Sequence, residues 1–139
     1  MYTIEEFDRE KTKVFKYIMF KKRTEYEIRN KFKMQIQEEM LEDIIEYLKE
    51  AGYINDYNFI EKQVSEYMNL KNMSIQEIKY KLSTKGISKK LIEKYIEEHF
   101  EELEEYEKKS AENIKDKKAQ QMNEEEIKQY LYRKGYKIS

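Results

Sequence analysis

Glu25-Tyr-Glu-Ile-Arg-Asn-Lys-Phe32 returns as Ile75-Gln-Glu-Ile-Lys-Tyr-Lys-Leu82 and a third time as Glu124-Glu-Glu-Ile-Lys-Gln-Tyr-Leu131. Each copy reads x-x-Glu-Ile-basic-x-x-apolar. The isoleucines fall at 28, 78 and 127, spacings of 50 and 49. Lys85-Gly86-Ile87 recurs as Lys134-Gly135-Tyr136, again 49 apart. Further along, Met40-Leu-Glu-Asp-Ile-Ile-Glu46 aligns with Leu91-Ile-Glu-Lys-Tyr-Ile-Glu97 once a residue is skipped. A period near fifty marks tandem supersecondary units that bury their apolar faces on one another. Two full units and the opening of a third are present.

Within each unit the apolar spacing is helical. Thr24 and Ser74 precede Glu27 and Glu77 by three, the capping-box spacing in which each side chain satisfies the other residue's free backbone N–H. Asn123 with Glu126 is a weaker form of it. These signals predict opening helices over 25–33, 75–85 and 124–134, with Gly86 and Gly135 placed for left-handed C-caps. Second helices are predicted over 38–51 and 89–98. Gly52-Tyr-Ile-Asn-Asp56 breaks the chain, with Asp56 as an N-cap, before a third helix over 57–71 with an Ile60, Val64, Tyr67, Met68 stripe. Its counterpart over 100–121 is more polar, and a leading helix over 4–22 precedes everything. The expected fold is all-α: a leading helix in 1–22, three-helix, helix-turn-helix-like repeats in 23–72 and 73–122, and a partial repeat in 123–139. Phe32, Tyr53, Phe59, Tyr67 and Tyr95 fall on apolar stripes and are expected in the core. Ile127 and Leu131 form an edge expected to bury against the second repeat or a neighbouring molecule, the second repeat being favoured by its covalent nearness.

Composition agrees. The 139 residues include no proline and three glycines, and 41% are charged. Turn-rich sandwiches, barrels and dinucleotide-binding folds are excluded by that scarcity, and an elongated helical array is favoured over a thick globule. Without cysteine there are no disulfides, thiolate metal sites or thiol nucleophiles, which suits a cytoplasmic location. Met1-Tyr2-Thr3 does not open a signal peptide, and Tyr17-Ile-Met-Phe20 is far too short to span a membrane. Three isolated glycines build no phosphate-binding loop. His99 is the single histidine and is read as a solvated residue of a Glu-rich helix. No catalytic residue, metal ligand or cofactor site is assigned, and the chain is not expected to be an enzyme.

Charge follows the repeat. Residues 21–33 hold six basic and two acidic side chains, 71–90 hold six lysines against Glu77, and 128–137 hold four basic residues and no acid. By contrast, 38–50 nets −5, and 97–107 carries seven glutamates and no basic residue. Aligned opening helices would present a basic stripe suited to phosphates or an acidic protein surface. The candidate binding residues are Lys21, Lys22, Arg23, Arg29, Lys31, Lys33, Lys79, Lys81, Lys85, Lys89, Lys90, Lys128, Arg133 and Lys134. Tyr80, Tyr130 and Tyr132 lie beside these cations, where they would stack on bases, contact a partner or be partly buried.

Four motifs in this order resemble the RecX family of regulators of the RecA recombinase, over residues 15–139. They are Arg23-Thr-Glu-Tyr-Glu-Ile-Arg-Asn-Lys-Phe32, Glu50-Ala-Gly-Tyr-Ile-Asn-Asp-Tyr-Asn-Phe-Ile60, Ile78-Lys-Tyr-Lys-Leu-Ser-Thr-Lys-Gly-Ile87 and Arg133-Lys-Gly-Tyr136. Three departures stand out. Lys33-Met-Gln-Ile36 lacks the family's Lys-Gly-aromatic turn, Asn58 stands where arginine is usual, and the sequence stops at Ser139 after one helix of a repeat that relatives complete. The resemblance implies a curved array of three-helix units that lies in the groove of the RecA–DNA filament. There it would block extension, ATP hydrolysis and strand exchange, in DNA repair and the SOS response. The expected partners are the RecA filament and single- or double-stranded DNA, with the chain a monomer away from membranes. The alternatives are a stand-alone DNA-binding helical module and a helical protein-interaction adaptor.

Overall fold

In a computed structural model, residues 1–70 and 72–137 are described; Lys71, inside the second basic segment, and Ile138 and Ser139, at the end of the partial repeat, lie outside the described residues. The described residues form helices α1 (Ile4–Phe20), α2 (Glu25–Phe32), α3 (Glu38–Glu50), α4 (Asp56–Leu70), α5 (Ile75–Thr84), α6 (Lys89–Glu98), α7 (Phe100–Lys118) and α8 (Glu124–Arg133), with no strand among them. The fold class is the one the periodicity predicts. Each expected boundary falls within about three residues of the observed one, the scale on which helix ends fray.

The chain divides into two compact units. The first holds Met1–Phe59 together with Lys85–Ile87. Val14 and Ile18 of α1, Ile28 and Phe32 of α2, and Leu41, Ile44, Ile45 and Leu48 of α3 close its core. The apolar face of α3 is legible in its i, i+3, i+4, i+7 spacing. Where the Lys-Gly-aromatic turn is missing, Gln35 and Ile36 both donate N–H bonds to the Phe32 carbonyl, and Ile36 is buried. The chain thus turns after α2 without a left-handed residue; among the described residues, positive φ angles belong to Gly52, Gly86 and Gly135.

The second unit holds Ile60–Thr84 and the described residues from Ser88 onward. Ile60, Val64, Tyr67, Ile78, Leu82, Ile92, Tyr95 and Leu103 are buried there. Ile127 and Leu131 pack with Ile114 and Tyr136, and with partly buried Ala111, Met122 and Tyr130. The edge of α8 is therefore closed by α7, as the covalent nearness of the two helices suggested. Covering each side chain is worth about 1.5–3 kcal/mol.

Three local expectations need correction. Tyr53 is 48% exposed rather than core, because it follows the α3 C-terminus at left-handed Gly52; its ring meets that of Phe15 edge-to-face, centroids 4.9 Å apart. The oxygen capping α4 belongs to Asn55, which accepts from the Asn58 N–H at 3.0 Å; Asp56 is the first residue of the helix and faces elsewhere. His99 is not on a solvated helix face. It sits at the joint between α6 and α7, its ring stacked on Tyr95 at 4.0 Å and its Nδ1 2.9 Å from the Tyr95 carbonyl oxygen.

Candidate functional site

The opening helices α2, α5 and α8 carry Arg29, Lys31, Lys79, Lys81, Lys128 and Arg133, and one device positions these helices. At each N-terminus a capping box closes: Thr24 with Glu27, Ser74 with Glu77, Asn123 with Glu126. Two of these caps have a second bond. The Thr24 hydroxyl donates to the Lys85 carbonyl at 2.7 Å, and the Ser74 hydroxyl donates to the Lys134 carbonyl at 2.5 Å. The accepting carbonyl belongs in both cases to the lysine just before a left-handed glycine. Gly86 lies against Tyr26 and Gly135 against Gln76, each two residues past the cap. A carboxylate completes each site: Asp56 accepts from the Glu25 N–H at 2.9 Å, and Glu107 accepts from the Ile75 N–H at 2.7 Å and the Lys137 N–H at 2.9 Å. Acids at a helix N-terminus also complement its dipole. Burial pushes the Asp56 carboxyl above its ordinary range, with the Glu25 N–H acting in the opposite sense. Burial likewise pushes the Tyr136 phenol up to about 12, against the bond it shares with Ser110 at 2.6 Å.

In the first unit the candidate cations fall into three kinds. Arg29 is engaged: it forks onto Glu42 at 2.6 and 2.9 Å and reaches Glu25 at 3.1 Å. Its proton is held even more firmly than usual, first by Glu42. Glu25 also takes Lys49 at 3.0 Å; burial would raise its pKa, but Lys49 and Arg29 hold it below the ordinary value. Others lie on aromatic rings. Arg23 sits 4.2 Å and Lys31 5.7 Å from the Tyr17 centroid, while Lys22 and Lys85 each lie 6.0 Å from that of Phe59. The fold thus brings Lys22 and Lys85, far apart in sequence, to one ring. Lys21 and Lys33 are exposed and form no salt bridge with a described residue.

In the second unit Lys134 is committed, bonded to Glu77 at 3.2 Å and set over Tyr130, which Lys118 also covers. Lys89 only approaches Glu93, at 4.0 Å. Lys79, Lys81, Lys90, Lys128 and Arg133 form no salt bridge with a described residue, and all but half-buried Lys79 are exposed. Tyr80, between Lys79 and Lys81 on α5, is 71% exposed; Tyr132, next to Arg133 and one turn from Lys128 on α8, is 74% exposed. Tyr130 is half-buried. Lys128, Gln129, Tyr132 and Arg133 line a shallow open depression with Glu125. Uncompensated cations beside upright aromatic rings can neutralise phosphates and stack on bases. Among the described residues there is no group of three or more His, Cys, Asp or Glu able to hold a metal ion, and no helix is long and apolar enough to cross a membrane.

The chain is similar to proteins named regulatory protein RecX. That of Finegoldia magna is 38% identical over 85 residues, covering 60% of this chain and 42% of the relative. That of Clostridium beijerinckii is 33% identical over 142 residues, covering 95% of this chain and 64% of the relative. The chain therefore spans less than two thirds of the length of these relatives. The crystal structure of RecX from Lactobacillus salivarius superposes with a TM-score of 0.81 at 24% identity, covering 97% of this chain and 91% of that one, a likeness of fold. No family model matches the chain.

Proposed function

This chain belongs to the RecX family of regulatory proteins, and we propose that it acts without catalysis, as a cytoplasmic monomer, by binding the RecA–single-stranded DNA filament and inhibiting its extension, ATP hydrolysis and strand exchange. One observation carries this reading beyond the family name. On α5 and on α8, cations with no acidic partner among the described residues stand beside a tyrosine whose ring is in solvent. An isolated helical adaptor has no use for that pairing, whereas a nucleoprotein filament offers phosphates, bases and protein within one groove. The remaining candidates are sorted by their surroundings. Arg29 and Lys134 are tied to Glu42 and Glu77, so they orient their helices, whereas Lys21, Lys33, Lys79, Lys81, Lys90, Lys128 and Arg133 are available to a partner.

Charge reversal on α5 tests the assignment. Lys79→Glu with Lys81→Glu is expected to weaken binding to RecA filaments on single-stranded DNA at least tenfold. Two lost phosphate contacts should reduce the slope of log affinity against log salt by about 1.4. Stability should stay within about 1 kcal/mol of wild type, because exposed Lys81 and half-buried Lys79 form no salt bridge with a described residue. Filament affinity unchanged in the double variant would remove α5 from the interface.

A further inference from the structure

The first unit also carries a surface of the opposite sign, between the start of α1 and the outer face of α3. Tyr2, Phe7 and Tyr47 line an open depression of about 430 Å³ together with Asp43, Glu46 and Glu50. The rings form a corner: Tyr2 stacks on Phe7 at 6.0 Å and 14°, and Tyr47 meets Phe7 edge-on at 6.1 Å and 80°. The Tyr2 hydroxyl donates to Asp43, which fixes the Tyr2 ring against α3. Neither Glu46 nor Glu50 forms a salt bridge with a described residue, and residues 38–50 together carry six acids against Lys49. A cation already uses these rings. Lys11 Nζ lies 4.5 Å from the Tyr47 centroid and 5.6 Å from that of Phe7, and Lys11 is not among the residues lining the depression.

We infer that this depression docks an arginine side chain from a basic segment of a protein partner, with the guanidinium laid on the aromatic corner and its N–H groups donating to Asp43, Glu46 and Glu50. A planar guanidinium stacks on aromatic faces and forks onto carboxylates, two properties this corner offers within one cavity. Its size falls in the range of about 300–1,000 Å³ usual for pockets that hold small groups. Nucleic acid is a poor occupant, since three carboxylates repel phosphate. The site shares no residue with the cations on α5 and α8, and it requires neither DNA nor the recombinase. Its failure and that of the regulatory reading are therefore distinguishable.

The test is a titration of the full-length ¹⁵N-labelled chain with a hexa-arginine peptide, followed by amide chemical shifts. Saturable shifts are expected around Tyr2, Phe7, Asp43 and Tyr47, with Tyr47→Ala weakening affinity at least fivefold and Tyr47→Phe restoring it. Glu46→Gln with Glu50→Gln, both on the exposed side of α3, should weaken it to a similar degree even if Tyr47→Ala does not fold. Hexa-lysine should bind several times more weakly than hexa-arginine. The acid-rich start of α7, with Glu101, Glu102, Glu104 and Glu105, is an internal control for diffuse charge attraction. Shifts as large on α7 as on α3, equal affinity for the two peptides, or aromatic and acidic variants within twofold of wild type would overturn the inference.

Discussion

Gly86→Ala is expected to destabilise the protein by about 2–5 kcal/mol, the sum of a left-handed backbone penalty of roughly 1–2 and an overpacking term of roughly 1–3. The residue has φ +81°, and a Cβ there would lie 2.1 Å from Cγ and 2.3 Å from Cβ of Tyr26. The Cβ of Tyr26 does not move with any side-chain torsion, so a rotamer change cannot clear the contact. Gly52→Ala is the matched control. Its φ is +84°, but nothing lies within 4 Å of the added atom, so only the backbone term of about 1–2 kcal/mol applies. Urea unfolding of the two variants separates the terms. Tyr26→Gly in the Gly86→Ala background removes both clashing atoms, so the double variant should be less destabilised than the sum of the two single variants, and equal destabilisation by the two glycine substitutions would show that the approach to Tyr26 is immaterial.

Thr24→Val is expected to destabilise by about 2–4 kcal/mol although it preserves shape. The hydroxyl is fully buried, accepts from the Glu27 N–H at 3.1 Å and donates to the Lys85 carbonyl at 2.7 Å. Valine removes the cap, worth about 0.5–2 kcal/mol, and leaves a buried carbonyl unpaired, at about 1–3 kcal/mol. Thr24→Ser keeps both bonds and should lose only about 1 kcal/mol, for a buried methyl. Thr3 has the same capping box at an exposed helix start with no bond to a second segment, so Thr3→Val should cost the cap alone, about 1 kcal/mol. Ser74→Ala repeats the experiment in the second unit, where Lys134 supplies the carbonyl. Urea midpoints for the Thr24 and Thr3 variants that coincide would remove the second bond from the account.

These two sites show what a sequence can and cannot reveal. The boxes at Thr24 and Ser74, the glycines at 86 and 135 and the fifty-residue recurrence are all local patterns, so they are legible in the string itself. What they are for is not. That the hydroxyl of one cap reaches a carbonyl 61 residues away depends on packing, and the spacing records only that both motifs recur. Glu107 is invisible for another reason. In a chain with 29 acidic residues, nothing local marks the one whose carboxylate is buried between two backbone N–H groups. The basic segments are legible as composition, but composition cannot distinguish Arg29, consumed by Glu25 and Glu42, from Lys81, which has no acidic partner among the described residues. Tyr53 is apolar enough for a core position, but the backbone leaves the helix at Gly52 and carries its ring outward. Asn55 and Asp56 are equally good caps by residue type, and only the fold shows that Asn55 takes the Asn58 N–H while the Asp56 carboxylate takes that of Glu25.

The most direct test of the regulatory account is the single-stranded-DNA-dependent ATPase of RecA with this chain titrated in, beside the Lys79→Glu, Lys81→Glu variant. The account predicts saturable inhibition by the wild-type chain and a half-inhibitory concentration raised at least tenfold by the variant. ATP hydrolysis unchanged at concentrations where the chain binds naked DNA in a salt-sensitive manner would contradict it and identify a DNA-binding module that acts alone.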